Sequence, residues 1–325
     1  MHAESERRRQ LLLWSLMGVG LGGSGLAWAQ QGGRPLKFVV PTSPGSSADT
    51  GARAIGEQIQ KSTGRTVFVE NKVGAGGSLA AMQVVGAEPN GETLAILGNS
   101  YLLFPVEYPQ MKFDPIRDVE PVAMISKGAN VLIVANDSPY KQLQDIVRKS
   151  LAEPGKVAYA SAGVGSSTFH SGQRVAAAAN LDLIHVPYKG SPEVAGEVMA
   201  GRVDFAFVPI SVALPLVQAS RIRALAVSPS KRSALLPNVP TTAEAGVPGS
   251  SYESWLAALV PAKTPAAVQA ELNKIINASV EAPEVKALFA TSGVEPFPMP
   301  LAELREFVIQ EHQSAMAHEA AAKRR

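Results

Sequence analysis

The chain has 325 residues, 30 Lys plus Arg against 28 Asp plus Glu, and no cysteine. A net charge of +2 argues against a nucleic-acid partner, which calls for a strongly basic face. The missing cysteines exclude a disulfide framework, a thiolate metal site and a cysteine nucleophile, so packing alone must hold a chain whose length suits two domains better than one.

Residues 1–29 read as a signal peptide cleaved after about Ala29. Arg7-Arg8-Arg9 precedes an uncharged stretch from Leu11 to Leu26, which ends in the small-x-small site Ala27-Trp28-Ala29. The stretch is glycine-rich and shorter than the roughly 20 apolar residues of a membrane span. Export to the periplasm is the expectation, with the Sec and twin-arginine routes both left open. No second apolar run approaches spanning length, so the mature chain is expected to be soluble; a monomer is the expected state.

Leu36 to Pro41 predicts a buried strand, and Asp49 to Lys61 carries Ala52, Ile55 and Ile59 at the spacing of one helical face. Thr66 to Glu70 predicts a second strand, Ser78 to Ala87 an alanine-rich helix, and Thr93 to Leu97 a third strand after the turn Pro89-Asn90-Gly91. A second series begins with Val131 to Ala135. It runs through strand Val157 to Ser161, helix Ser167 to Ala179, strand Leu183 to Val186, helix Pro192 to Ala200 and strands Val203 to Val208 and Arg223 to Val227.

After a charged, proline-bearing connector come strand Trp255 to Val260 and a helix opened by Thr264 as capping hydroxyl, with Pro265 at its first position. Alternating strands and helices predict an α/β fold of parallel crossover units. The expected organisation is one lobe from residues 30–130 and 230–325, a second from 131–229, and a ligand cleft between them at the carboxyl ends of the strands.

Four glycine- and serine-rich turns follow predicted strands and open helices: Pro41 to Ser47, Val73 to Ser78, Ser161 to Ser167 and Pro187 to Ser191. The first-turn amides of a helix lack intrahelical acceptors and can hold a carboxylate or phosphate. Ser46 and Asp49 fit a capping box in which the carboxylate returns to the Ser46 amide. Tyr188 and Lys189 stand at a strand end. Tyr188 suits a cleft wall, where its ring covers a ligand's carbon body, while Lys189 fits a plain surface turn.

Catalytic and cofactor motifs are missing. Leu79 replaces the third glycine of a dinucleotide-binding fingerprint at Gly74, and there is no P-loop. Histidines 170, 185, 312 and 318 lack metal-ligand spacing, and His185 inside an apolar strand reads as a core residue. A serine hydrolase could be assembled from Ser166, His170 and a remote aspartate, but G-x-S-x-G is absent and such residue types occur in most chains. A binder of small anions with no cofactor and no metal, not an enzyme, is the reading.

Several stretches closely resemble the Bug family, the periplasmic solute-binding receptors of tripartite tricarboxylate transporters. They are Pro44 to Asp49, Val69 to Gly77, Gly163 to Ser166, His185 to Gly190 and Leu236 to Gly246, in this order, and the likeness runs from about Leu36 to Pro298. The resemblance implies a type II periplasmic-binding-protein fold, two Rossmann-like lobes closing on a di- or tricarboxylate, an acidic amino acid or an aromatic acid. The implied partners are membrane permease subunits, with a two-component sensor kinase as the alternative.

Carried across, the ligand-holding positions are Thr42, Ser43, Gly45, Ser46, Ser47 and Asp49 in the first lobe and Gly165, Ser166, Ser167 and Thr168 in the second. Gly76, Ser78, Asn99 and Tyr188 are further cleft-wall positions. No arginine clamp is evident, which weakens the case for a densely charged tricarboxylate. Three departures stand out. Ser46 replaces a usual glycine, Phe169-His170 replace the usual His-Leu, and the stretch from Glu311 lacks the usual tryptophan-containing ending.

Overall fold

The computed structural model describes residues 33–322, so the signal-peptide reading of residues 1–29 lies outside the described residues. The chain opens with β1 (Leu36–Val40), α1 (Ser47–Thr63), β2 (Val67–Asn71), α2 (Ser78–Val85), β3 (Thr93–Gly98), the short α3 (Phe104–Glu107) and β4 (Val119–Gly128). The middle section is β5 (Asn130–Ala135), α4 (Leu143–Ala152), β6 (Val157–Ser161), α5 (Ser167–Ala179), β7 (Leu183–Pro187), α6 (Ser191–Met199), β8 (Phe205–Pro209), α7 (Ile210–Gln218) and β9 (Ile222–Val227). The chain then returns through β10 (Ser254–Pro261), α8 (Ala266–Val280), α9 (Pro283–Thr291), β11 (Val294–Pro296) and α10 (Leu301–Ala322).

The strands form two sheets, ordered β11-β4-β10-β3-β1-β2 and β7-β6-β8-β5-β9. In each, the strands that precede the anion-type turns are parallel: β1 with β2 and β3, and β6 with β7 and β8. Their carboxyl ends therefore share one edge of each sheet. The mixed α/β architecture of two lobes agrees with the expected fold class.

Both faces of each sheet are covered, which is why the strands read as continuous apolar runs. Alternation in β1 sends Phe38 and Val40 toward α1, α8 and α9, and Val39 toward α2 and α10. In the second lobe Val131 and Ile133 face one cluster and Leu132 and Val134 the other. Fully buried side chains such as Phe38, Ile55, Phe205 and Phe207 each contribute roughly 1.5–3 kcal/mol.

The lobes are joined at Gly128–Asn130 and by the segment between β9 and β10. These crossings are bonded together: Ser254 Oγ donates to the Gly128 carbonyl at 2.8 Å, and the Ser228 and Asn130 amides bond across at 2.8 Å and 3.1 Å.

Two expectations change. The second lobe does not end at residue 229, because the connector packs on it: Leu236 and Val239 join one second-lobe cluster and Val247 the other, and the Thr242 amide bonds the Val227 carbonyl at 2.9 Å. The chain returns to the first lobe only near β10. Nor does Thr264 cap α8. Its hydroxyl donates to the Pro261 carbonyl at 2.7 Å, Pro265 stands at the cap position, and the helix begins at Ala266.

Candidate functional site

The turns after β1 and β6 have the same construction. Each carries a positive-φ glycine, Gly45 at +80° or Gly165 at +79°, where only glycine adopts the backbone without strain. Each then has a serine N-cap, Ser46 (φ −68, ψ 161) or Ser166 (φ −80, ψ 158). Both serine hydroxyls accept the amide three residues on, from Asp49 at 3.3 Å and from Phe169 at 3.2 Å. Both serine amides bond the carbonyl three residues back, Ser43 or Gly163, at 3.2 Å. The amides of Ser47 and Ala48 in one turn, and of Gly165, Ser167 and Thr168 in the other, find no acceptor among the described residues. Unpaired first-turn amides aligned with a helix axis suit a carboxylate oxygen.

The first turn is braced by an anion. Asp49, 2% exposed, accepts from the Gly45 amide at 2.8 Å, Asn71 at 2.8 Å and Arg53 at 2.9 Å. Its carboxylate thus returns to Gly45 and not, as the capping-box pattern suggested, to Ser46, whose amide is already committed to Ser43. Burial alone would raise the Asp49 carboxyl, but the hydrogen bonds from Arg53, Gly45 and Asn71 outweigh it and hold the group below its usual range. Thr42 Oγ1 meets Ser46 Oγ at 2.6 Å, while Ser43 is exposed. Ser47 lines a small hollow, of about 20 Å³, beside Thr50, Ser126 and Phe289 within the first lobe.

The second turn is braced by neutral hydroxyls. Thr168 Oγ1 accepts the Ala162 amide at 3.0 Å and meets Ser166 Oγ at 2.9 Å, and the Ser167 carbonyl accepts Asn130 Nδ2 at 3.1 Å. The remaining predicted positions have varied surroundings. Ser78 Oγ is buried without a hydrogen-bond partner. Asn99 is spent on the return segment, donating to the Glu253 carbonyl at 3.0 Å and accepting from Tyr252 at 2.9 Å. Tyr188 donates to Glu197 at 3.3 Å inside its own lobe. His185, half-buried and lowered in pKa by that burial, meets Ser161 Oγ at 2.7 Å.

The two lobes meet at the second turn. Tyr108 donates its phenolic O–H to the Val164 carbonyl at 2.9 Å, and a Cβ on Gly76 would collide with that same carbonyl oxygen. Glu107 Oε1 stands 3.2 Å from His170 Nε2, and a Cβ on Gly165 would strike Glu107 Oε2. Burial, with Glu319 adding, pushes the Glu107 carboxyl up to about 8. Burial, with Arg174 adding, pulls His170 down to about 3. Arg174, one helical turn beyond, lies over the Tyr252 ring at 6.0 Å with no carboxylate in ion-pair range among the described residues.

Sequence reasoning did not find Glu107, Tyr108 or Arg174. The one local signal was an acid alone in the apolar run Phe104-Pro105-Val106-Glu107. Among the described residues, no group of His, Asp or Glu forms a metal site.

A sequence model of the tripartite tricarboxylate transporter family receptor matches residues 51–318. A UPF0065 protein from the tcbD–tcbE intergenic region of a Pseudomonas species is 35% identical over 81% of this chain and 78% of its own. The solved periplasmic binding protein BugD is 26% identical, with a TM-score of 0.81 over 89% of this chain and 98% of its own. MatC from Rhodopseudomonas palustris, solved with bound malate, is 28% identical, with a TM-score of 0.80 over 86% of this chain and 97% of its own. An R. palustris protein solved with adipate is 27% identical, with a TM-score of 0.80 over 90% of this chain and 98% of its own.

Proposed function

Because the chain belongs to the receptor family of tripartite tricarboxylate transporters, a family of solute-binding proteins and not of enzymes, we propose that it captures a small dicarboxylate in the periplasm. It presents that ligand to the membrane subunits of such a transporter. The observation that carries this reading is the pair of matching serine-capped turns, one per lobe, each with amides that lack an acceptor. One carboxylate end sits on the amides of Ser47 and Ala48, the other on those of Gly165, Ser167 and Thr168. Malate and adipate in the two related structures support acids of this size. Only the closed arrangement supplies both sets of donors, so ligand shifts an open–closed equilibrium toward closure, and the transporter recognises the closed form.

A thermal-shift panel of mono-, di- and tricarboxylates, acidic amino acids and aromatic acids tests this. A concentration-dependent rise in Tm, about 2.7 kcal/mol of stabilisation at 100 Kd, is expected for a dicarboxylate. No rise across the panel, with the protein folded and free of co-purified ligand, overturns the carboxylate reading.

A further inference from the structure

Beyond the turns themselves, the seam between the lobes holds two ionisable groups from opposite sides. Glu107 ends α3 of the first lobe and His170 lies in the first turns of α5 of the second. Their side chains are 10% and 4% exposed, and Oε1 and Nε2 are 3.2 Å apart. Neither that nitrogen nor the other carboxyl oxygen, Oε2, has a hydrogen-bond partner among the described residues. Oε2 lies against Gly165, whose amide belongs to the carboxylate seat described above.

We propose that Glu107 is a specificity-determining residue of the cleft: its carboxyl group closes over the second lobe's turn and donates an O–H hydrogen bond to the ligand carboxylate seated there. His170 is its partner across the seam, so closure on a carboxylate above neutral pH takes up a proton. This rests on the carboxylate reading above. The protonation pattern is self-consistent. A neutral imidazole leaves no charge on Nε2, which stands 3.2 Å from Oε1 without a formed hydrogen bond, and a protonated Oε2 offers its O–H to an acceptor beside Gly165. An ionised Glu107 would instead face the ligand with a second negative charge in a dry seam, at a cost that nothing nearby offsets. The site thereby prefers a carboxylate, which accepts at this end, over an amide nitrogen or ammonium, which donates.

The groups around the pair are few. Glu107 faces His170 on α5, the charge of Glu319 on α10 and its neighbour Tyr108; His170 faces Arg174 on its own helix and the Tyr252 ring from the return segment. With Glu107 raised from 4.5 to about 8 and His170 lowered from 6.5 to about 3, the closed pair holds one proton between these limits. Open lobes, with both groups in water, hold one proton between 4.5 and 6.5 and none above 6.5. Closure is therefore proton-neutral in the lower window. It takes up a proton as pH rises from 6.5 toward 8, and it weakens across that upper window.

The test is titration calorimetry of malate and adipate into the receptor from pH 6.5 to 8.5, where both ligands are fully ionised. Affinity is expected to weaken roughly tenfold between pH 6.5 and 8, and the buffer dependence of the heat should report about two-thirds of a proton taken up at pH 7.5. Glu107→Gln, whose amide keeps a donor but cannot titrate, should lose that slope. Wild-type affinity that is flat with pH, a Glu107→Gln slope equal to wild type, or Glu107→Gln binding more tightly at every pH overturns the proposal. In any of these cases the carboxylate reading stands. Failure of both acids, and of the rest of the panel, to bind at any pH overturns that reading and this proposal with it.

Discussion

The turns after β1 and β6 share backbone and cap but differ at the third residue of the helix, where the first lobe has Asp49 and the second Phe169. In the first, Asp49 takes the Gly45 amide and ties it to Arg53 and Asn71; in the second, the Gly165 amide keeps its donor free and Thr168 braces the loop with a neutral hydroxyl. The same loop geometry is thus held by two different chemistries, with different consequences for an anion. The first lobe offers fewer amides beside a fixed negative charge that Arg53 offsets. The second offers more amides with no fixed charge in the turn itself. It is also the turn on which the opposite lobe's Glu107, Tyr108 and Gly76 converge. The second turn therefore leaves more amides open, and the first is the better-anchored one.

The largest effect should come from preventing the lobes from meeting. Gly76→Ala places a methyl group against the Val164 carbonyl, a backbone atom that cannot swing away, at a positive φ of 62°. Dicarboxylate affinity in calorimetry should fall roughly a hundredfold, because the clash with the opposite lobe penalises the closed state alone, whereas the strain of the positive φ falls on both states. An unchanged affinity would mean that ligand does not need this closure.

Next come the braces. Asp49→Ala removes the buried acceptor shared by the Gly45 amide, Asn71 and the half-exposed Arg53 and should cost about 2 kcal/mol of stability, read as a fall in Tm of several degrees. Thr168→Val leaves chiefly the Ala162 amide unpaired and should cost about 1 kcal/mol. Equal losses would erase the distinction between an ionic and a neutral brace. The smallest effect belongs to Tyr108→Phe, which removes one hydrogen bond across the seam. Affinity should drop about two- to tenfold with Tm of the unliganded protein nearly unchanged.

The sequence made the central parallel strands legible because strands buried on both faces read as apolar runs, and it made the turns legible because glycine and serine cluster where a strand end turns into a helix. It did not reveal β4. That strand begins Val119-Glu120-Pro121, and a proline counts against a strand reading; here Pro121 is accommodated beside a register shift opposite Leu259. Thr264-Pro265 looked like a cap and first helical turn, but the hydroxyl found a nearer acceptor in the Pro261 carbonyl. The first turn's Ser46 and Asp49 were readable as a local cap, though the carboxylate's choice of Gly45 depended on the φ of that glycine. Glu107 and His170 are 63 positions apart and come together only where the two lobes touch, so no local pattern announces them. What the sequence showed was the two serine-capped turns; what it hid was the carboxyl group that one lobe brings against the other's turn.

The most direct test of a carboxylate bridged between the two turns is titration calorimetry of malate and adipate into the receptor and into Ser46→Glu and Ser166→Glu. Each variant plants a fixed negative charge among the open amides of one turn while costing the cap only about 1 kcal/mol. One-to-one binding by the unsubstituted receptor, with binding lost in both variants and each still folded, is the expected result. Unchanged affinity in either variant would remove its turn from the site and contradict a ligand held from both lobes.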